Sequence, residues 1–426
     1  RPLSRSQLLE QVPLLYVAGQ LADVVEMTPD LGFPFARDGV FADLNPLMAR
    51  DGSVAWSDLA PSAVQAGTIP DGLPRAGTRW LLPASLWTVA GVVNLDLFAD
   101  AGVVPPSELA HHWTWDDFLQ MGRKITRDRD GDGQPELYGA QVSRAYHRWP
   151  VWVWNAGGFH FNRLVYPDES RLNTEPVRTA MEFLRDIYLR WRIAYWADDW
   201  SDPQVGFLNE RSAINLTAGP SYTAVHRSGG FGFSYAVVPN PRRVRGGSEN
   251  VAIGFALSSQ STKVDAAWRW MRFLAFTMAE DHAAITGRPP ARIIDPMRYQ
   301  ELVPNASSYE HVWMEIVSSP ESYVRAIYPA PAFRDVLQRY VTAITGGEMD
   351  VGAALEALGR RRGRDFEVIL DRREAIRRAL AWAGPGDLVL VAGRGHEEYI
   401  PVGSRRIPFD DAAVVRELLA AGYVAG

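Results

Sequence analysis

Residues 89–102, Val89-Ala90-Gly91-Val92-Val93-Asn94-Leu95-Asp96-Leu97-Phe98-Ala99-Asp100-Ala101-Gly102, decide the fold class. The apolar run 89–94 reads as a buried strand. Positions 97–102 read as a short helix ended by glycine and followed by Pro105-Pro106. Working outward, Thr114 is placed to cap a helix that opens Trp115-Asp116-Asp117-Phe118, with its carboxylates in the favourable first turn. Segment 79–83 reads as a further strand. Residues 6–29 give a helix and a short buried strand, and 35–44 a helix closed by a glycine. Segment 175–195 is helical throughout, strands follow at 233–239 and 252–257, and helices cover 264–279 and 309–345. Strands interleaved with helices predict an α/β architecture.

The chain of 426 residues is long enough for two to four domains, and 47% hydrophobic with 11% aromatic residues supplies sizeable cores. A formal charge of −6 argues against a general nucleic-acid binder. No apolar run reaches the roughly 18 residues of a spanning helix. The absence of cysteine excludes disulfides, thiolate metal sites and thiol catalysis. The two lysines, Lys124 and Lys263, do not follow a glycine, so the phosphate-loop pattern GxxxxGK[ST] is missing. Composition shifts over 346–363, and Arg360-Arg361-Arg362-Gly363-Arg364 reads as a linker. Beyond it, helix 372–383, strand 388–392 and helix 411–421 form a unit of about 65 residues, marginal as an independent core.

The sharpest local motif is Asp128-Arg129-Asp130-Gly131-Asp132-Gly133-Gln134-Pro135-Glu136. Carboxylates at loop positions 1, 3 and 5 with glycine at 6 reproduce the opening of a calcium loop. Gln134 would offer a carbonyl and Glu136 the ninth-position ligand. The twelfth position is Gly139 instead of the bidentate glutamate, and the alternative is an acidic turn ordered by Asp–backbone bonds. Fifteen tryptophans are a second signal. Most large aromatics fill cores, but one at a loop or strand end can stack on a sugar ring. Trp87, Trp149, Trp152 and Tyr222 are the candidate cleft contacts on that ground, with Asn155 and Glu249 as hydrogen-bond partners for hydroxyls. Neither HExxH nor GxSxG occurs, so no catalytic residue is assigned. In the tail, Gly393-Arg394-Gly395-His396-Glu397 follows the apolar run 388–392. It reads equally as a ligand-approaching glycine turn or a plain tight turn.

In their order, these pieces resemble the extracellular solute-binding proteins of sugar ABC importers over about 6–358. Asn94 to Gly102 followed by Trp113-Thr114-Trp115-Asp116-Asp117-Phe118 resembles the family's "YNKxxFxxAG…PxTWxEF" stretch, with Val93 where tyrosine is usual. Loop 128–139 is similar to its "DxDGDGxxDxYG". Gln20 to Val25, Phe41 to Leu47, and Ser258 to Lys263 with Ala266 to Leu274 resemble three further elements. The resemblance implies a two-lobed periplasmic-binding-protein-like fold of type II, interleaved over 1–358, lacking its first strand and helix. It also implies a carbohydrate or related polar solute bound between the lobes and an importer permease as partner. No cofactor is required, the candidate calcium at loop 128–136 apart. The location implied is periplasmic or extracellular, with a lipobox anchor in a lost leader.

After a linker at 359–365, the tail 366–426 resembles the C-terminal domain of Mur ligases, the UDP-N-acetylmuramoyl-tripeptide synthetases. The resemblance rests on Asp371 to Ile376, Pro385 to Tyr399 and Pro408-Phe409-Asp410-Asp411. It implies that Gly393, His396 and Glu397 belong to an amino-acid-contacting motif, in which Arg394 replaces the usual lysine. The family's ATP-binding central domain has no counterpart, so the chain is expected to be a binding protein and not an enzyme. The alternatives are a peptidoglycan-precursor ligase, judged from the tail, and a non-functional hybrid.

Overall fold

The computed structural model describes residues 5–421 apart from 110–111, 133–134, 196–205, 221–222, 225–230, 329–331, 359–366, 368, 370, 385–386, 392–398 and 403–404. It separates into two compact units, Arg1–Gly359 and Arg360–Gly426.

Among the described residues the first unit contains two sheets. One holds β1 (Val24–Met27), β2 (Leu81–Thr88), β8 (Glu249–Leu257) and β9 (Tyr323–Val324). Here β8 is central, antiparallel to β1 and β2 and parallel to β9. The other holds β3 (Ala90–Asn94), β4 (Tyr138–Gln141), β5 (Ala194–Tyr195), β6 (Ser212–Ala218) and β7 (Tyr235–Val238), in the order β5-β4-β6-β3-β7. β3 and β6 are buried at every position, as strands covered by helices on both faces must be. The register between β2 and β8 shifts between Pro83 and Ser85, where proline lacks a ladder donor. Opposite that shift stands Gly254, at which a Cβ would lie 2.3 Å from the Leu82 carbonyl oxygen, so only glycine fits.

Each sheet organises one lobe with its own core, the sheet of β1, β2, β8 and β9 in lobe 1 and the sheet of β3 to β7 in lobe 2. In lobe 1, Phe41 stacks on Trp80 at 5.7 Å, among Phe33, Trp268, Tyr299 and Trp313. Lobe 2 packs Trp113, Trp115, Phe118, Trp149, Trp152 and Phe183. Helix Trp115–Ile125 carries the expected cap: Thr114 Oγ1 accepts from the Asp117 N–H, and Asp117 Oδ2 accepts from the Thr114 N–H. Helix Leu95–Asp100 is capped by Asn94.

The helix read over 175–195 stops at Leu189, and 194–195 become β5, parallel to β4. The stretch read as helical over 309–345 is helix His311–Ser318, strand β9 and helix Ala332–Gly346. Pro320, Pro329 and Pro331 forbid a continuous helix there. Within 35–44, helix Pro29–Arg37 ends early, and Phe41 forms a single bridge with Ser258.

His160 is fully buried among the lobe-2 aromatics, with Nε2 2.7 Å from the Tyr328 hydroxyl. Burial pushes its pKa down to about 3. Unfolding restores an ordinary imidazole, so the unfolded chain takes up a proton below pH ~6.5 that the folded chain refuses. Stability is therefore expected to fall by about 1.4 kcal/mol per pH unit from pH ~6.5 towards 3 on account of this group. Urea unfolding at stepped pH checks this. An equal slope in a His160→Gln variant would remove the assignment.

In the second unit, helices Arg372–Trp382 and Asp411–Ala420 pack through Ile376, Leu380, Val414 and Leu418. Strands β10 (Tyr399–Val402) and β11 (Arg405–Pro408) form a hairpin. Arg372 grips Asp411 with two hydrogen bonds, at 2.7 and 2.5 Å. The strand read at 388–392 is not formed over 388–391, and Leu388 and Leu390 are 92% and 81% exposed. Among the described residues no other strand pairs with this run, and an unpaired run has no ladder to hold it.

Candidate functional site

The chain passes between the lobes at Val89, again between β7 and β8, and a third time between β9 and helix Ala332–Gly346. Asn240 ties two crossings together, its Nδ2 donating to the Val89 carbonyl at 2.8 Å and to Ser248 Oγ at 3.0 Å. Three side chains sit beside these crossings because their strands end there: Trp87 on β2, Glu249 at the start of β8, and Arg325 just after β9. Lobe 2 contributes Tyr146, His147 and Arg148 from the turn before helix Pro150–Asn155.

Trp87 is half-buried, and two guanidinium groups lie against its ring, Arg148 at 4.7 Å and Arg325 at 5.3 Å from the centroid. Arg325 Nε donates to Glu249 Oε1 at 2.6 Å. Glu249 is 2% exposed. Burial pushes its carboxyl up, against the pull of Arg325 and Arg148. Burial also pulls on Arg325, but Glu249 overcomes this and holds the guanidinium above its ordinary value. Arg148 is 4% exposed, and burial together with Arg325 brings it down to about 9. Burial, then Arg148, Arg325 and Arg334, push His147 down to about 2, so its imidazole is neutral. Asp30, at the start of helix Pro29–Arg37, accepts from Thr28 Oγ1 at 2.6 Å and shares a small cavity with Arg325 and Asn250. A larger cavity of about 360 Å³ opens between Tyr146, His147, Arg334 and Gln338. The arrangement offers an aromatic plate flanked by charge-assisted donors and one carboxylate, which suits a polar solute.

Trp87 and Glu249 are thus the two sequence-predicted contacts that this cluster brings together. Trp152 is a core residue: its ring lies 5.3 Å from Trp115, 5.7 Å from Phe118 and 5.4 Å from Phe183, and it is 5% exposed. Trp149, 1% exposed against His160, is core as well. Trp149 stands at the N-cap of helix Pro150–Asn155 and Trp152 within it, three residues on, so both indoles turn inward. Asn155 is also buried. Its Nδ2 donates to the Pro241 carbonyl at 3.2 Å, and its backbone carbonyl accepts from the Val244 and Arg245 N–H groups, so it pins a loop. Tyr222 lies outside the described residues, as do Gly393, His396 and Glu397 of the tail.

In loop 128–136, carboxylate oxygens of Asp128, Asp130 and Glu136 come within 4.8 Å of one another on the surface. They accept backbone N–H bonds from Gly131, Asp132 and Arg129 respectively. Gln134 lies outside the described residues. The donor set is hard oxygen and suits calcium in type. The backbone bonds order the turn in any case.

Arg148, Arg325, Tyr146 and Asp30 were missed from sequence. Arginine supplies nearly every basic residue of the chain, so no single arginine stands out.

Among the described residues no helix is long and apolar enough to cross a membrane. Solved structures similar to this chain include the ABC substrate-binding protein Lmo0181 of Listeria monocytogenes in complex with cycloalternan. Its TM-score is 0.64, with 19% identity over 82% of this chain and 86% of that one. The cyclic alpha-maltosyl-1,6-maltose binding protein of Arthrobacter globiformis has a TM-score of 0.67, with 19% identity over 83% and 87%. Mycobacterium tuberculosis UspC gives 0.67, with 18% identity over 84% and 89%. These likenesses show the two-lobed fold. The tail accounts for a separate match to a UDP-N-acetylmuramyl-tripeptide synthetase of Roseiflexus, 46% identical over 71 residues. That is 17% of this chain and only 14% of the synthetase, so the chain spans about one-seventh of that curated relative's length. The family model for bacterial extracellular solute-binding proteins matches residues 4–280. The chain belongs to the bacterial extracellular solute-binding protein family.

Proposed function

We propose that the first unit binds a carbohydrate or related polar solute in the cleft between its lobes and presents it to the permease of an ABC importer, outside the cytoplasmic membrane. The observation that carries this is the position of Trp87, Glu249, Arg325 and Arg148: all four stand at or beside the crossings between lobes, where closure brings both lobes onto one ligand. The structures bound to cycloalternan and to other saccharides support a sugar as the solute class. Loop 128–136 is proposed as a weak calcium site that stiffens lobe 2 at a distance from this chemistry. The tail is proposed to carry no ligation activity, since it matches so small a share of a synthetase.

A thermal-shift screen against mono- and oligosaccharides, with and without calcium, tests the reading. A sugar at a hundredfold excess over its Kd is expected to stabilise the folded chain by about 2.7 kcal/mol. Trp87→Ala is expected to abolish that shift while leaving the unliganded midpoint within a few degrees. A full shift retained in Trp87→Ala would remove the residue from the site, and no shift with any sugar would count against the carbohydrate.

A further inference from the structure

We propose that the small cavity between Asp30, Asn250 and Arg325 holds a single oxygen of the hydroxyl type, from water or from the solute, and that this oxygen fixes the Arg325 guanidinium beside Trp87. The assignment of the cavity goes beyond the solute-binding reading, and only its effect on affinity rests on that reading.

The cavity lies against β8 and β9 and measures about 10 Å³, room for one oxygen. Pro29, Val324 and Ile327 give it apolar wall, while Asp30, Asn250 and Arg325 bring polar groups to it. Asn250 is 1% exposed. Its Nδ2 donates to Ser62 Oγ at 2.9 Å and to the Val317 carbonyl at 3.3 Å. A carbonyl only accepts, so the amide cannot be turned round, and Oδ1 is the atom that needs a donor. That oxygen is buried with no donor among the described residues. Arg325 shows the opposite need. Its Nε is committed to Glu249 at 2.6 Å, and its Nη2 is buried with no acceptor among the described residues. Each unmet group is costly in a buried layer. The backbone keeps the two residues adjacent, since the Arg325 N–H donates to the Asn250 carbonyl at 2.9 Å.

An unmet acceptor and an unmet donor on one cavity select the group between them. An ionised carboxylate or phosphate oxygen only accepts: it would meet Nη2 but face Asn250 Oδ1 and the Asp30 carboxylate. An ammonium group or a metal cation would suit those oxygens but stand against the guanidinium. A hydroxyl or a water does both, accepting from Nη2 and donating to Oδ1. Asp30 completes the set: its Oδ1 accepts the Thr28 hydroxyl at 2.6 Å, and a carboxylate has lone pairs for further donors. With Glu249 on Nε and this oxygen on Nη2, the guanidinium is held on two edges, 5.3 Å from the Trp87 centroid. Asn250 is thus a positioning residue for Arg325.

The test is a high-resolution crystal structure of the full chain, unliganded and with any saccharide that shifts its melt. One oxygen within about 3.2 Å of both Arg325 Nη2 and Asn250 Oδ1 is expected. The same water in both crystals assigns the oxygen to solvent. Its replacement by a solute hydroxyl assigns it to the solute, and the analogue deoxygenated at that position should then bind roughly ten- to a hundredfold more weakly. A well-ordered site without that oxygen, or with Nη2 bonded directly to Asp30 or Asn250, overturns the inference. In solution, Asn250→Leu is expected to weaken saccharide binding about tenfold, whereas Ser62→Ala, which removes the amide's other partner, should leave it within about twofold. Equal losses in the two variants overturn the positioning role. The unliganded crystal tests the oxygen by itself, so failure of every saccharide to bind would count against the solute reading and leave this site standing.

Discussion

Replacing Arg325 by methionine is expected to lower the stability of the first unit by about 3 kcal/mol, the low end of the range for breaking a buried ion pair. The loss comes less from the missing bond than from what remains. Glu249 is 2% exposed and would keep its carboxyl in a low-dielectric layer without the guanidinium that holds it at 2.6 Å. The Arg325 side chain is 21% exposed, so water can relieve part of the penalty, which is the reason for choosing the low end. The double variant Glu249→Gln with Arg325→Met removes the stranded charge and is expected to recover at least half of the loss. Urea unfolding followed by tryptophan fluorescence reads the first unit selectively, since Trp382 is the one tryptophan of the tail. A single-variant loss below about 1 kcal/mol, or a double variant no better than the single, would show that the pair is effectively solvated.

Trp152→Ala is expected to cost about 3–5 kcal/mol, the usual range for deleting a buried indole. The ring is enclosed by Trp115, Phe118 and Phe183, all within 6 Å between centroids, and its removal opens a void that three large rigid rings cannot collapse to fill. Trp152→Phe keeps the apolar contact and should cost less than half as much. The comparison with Trp87→Ala matters, because that indole is half-buried and its loss should change ligand affinity much more than stability. If Trp152→Ala melts like the wild type but loses solute binding, the indole belongs to the cleft after all.

The two tryptophans also show where the sequence stopped being informative. Strand 89–94, the Thr114 cap and the alternation of strands with helices could be read directly, because burial periodicity and capping chemistry are local properties of the chain. The helices read across 309–345 are found at His311–Ser318 and Ala332–Gly346, but the short strand β9 between them escaped apolar spacing. The tail run at 388–391 failed for a different reason. It has the composition of a buried strand, but a strand exists only through its neighbours, and among the described residues none pairs with it.

By itself the sequence determined the α/β class, the major caps and, through the order of its motifs, the solute-binding family. It also showed that the tail is chemically a separate piece. Which aromatic meets solvent was decided only by tertiary structure: Trp149 and Trp152 turn into lobe 2 while Trp87 stays at the hinge. The same holds for the pairing of Glu249 with Arg325, 76 positions apart, and for the approach of Arg148 from the other lobe. Periodicity records whether a side chain is buried. What it is buried against depends on crossings that bring distant strand ends together, and no local pattern in the chain encodes those distances.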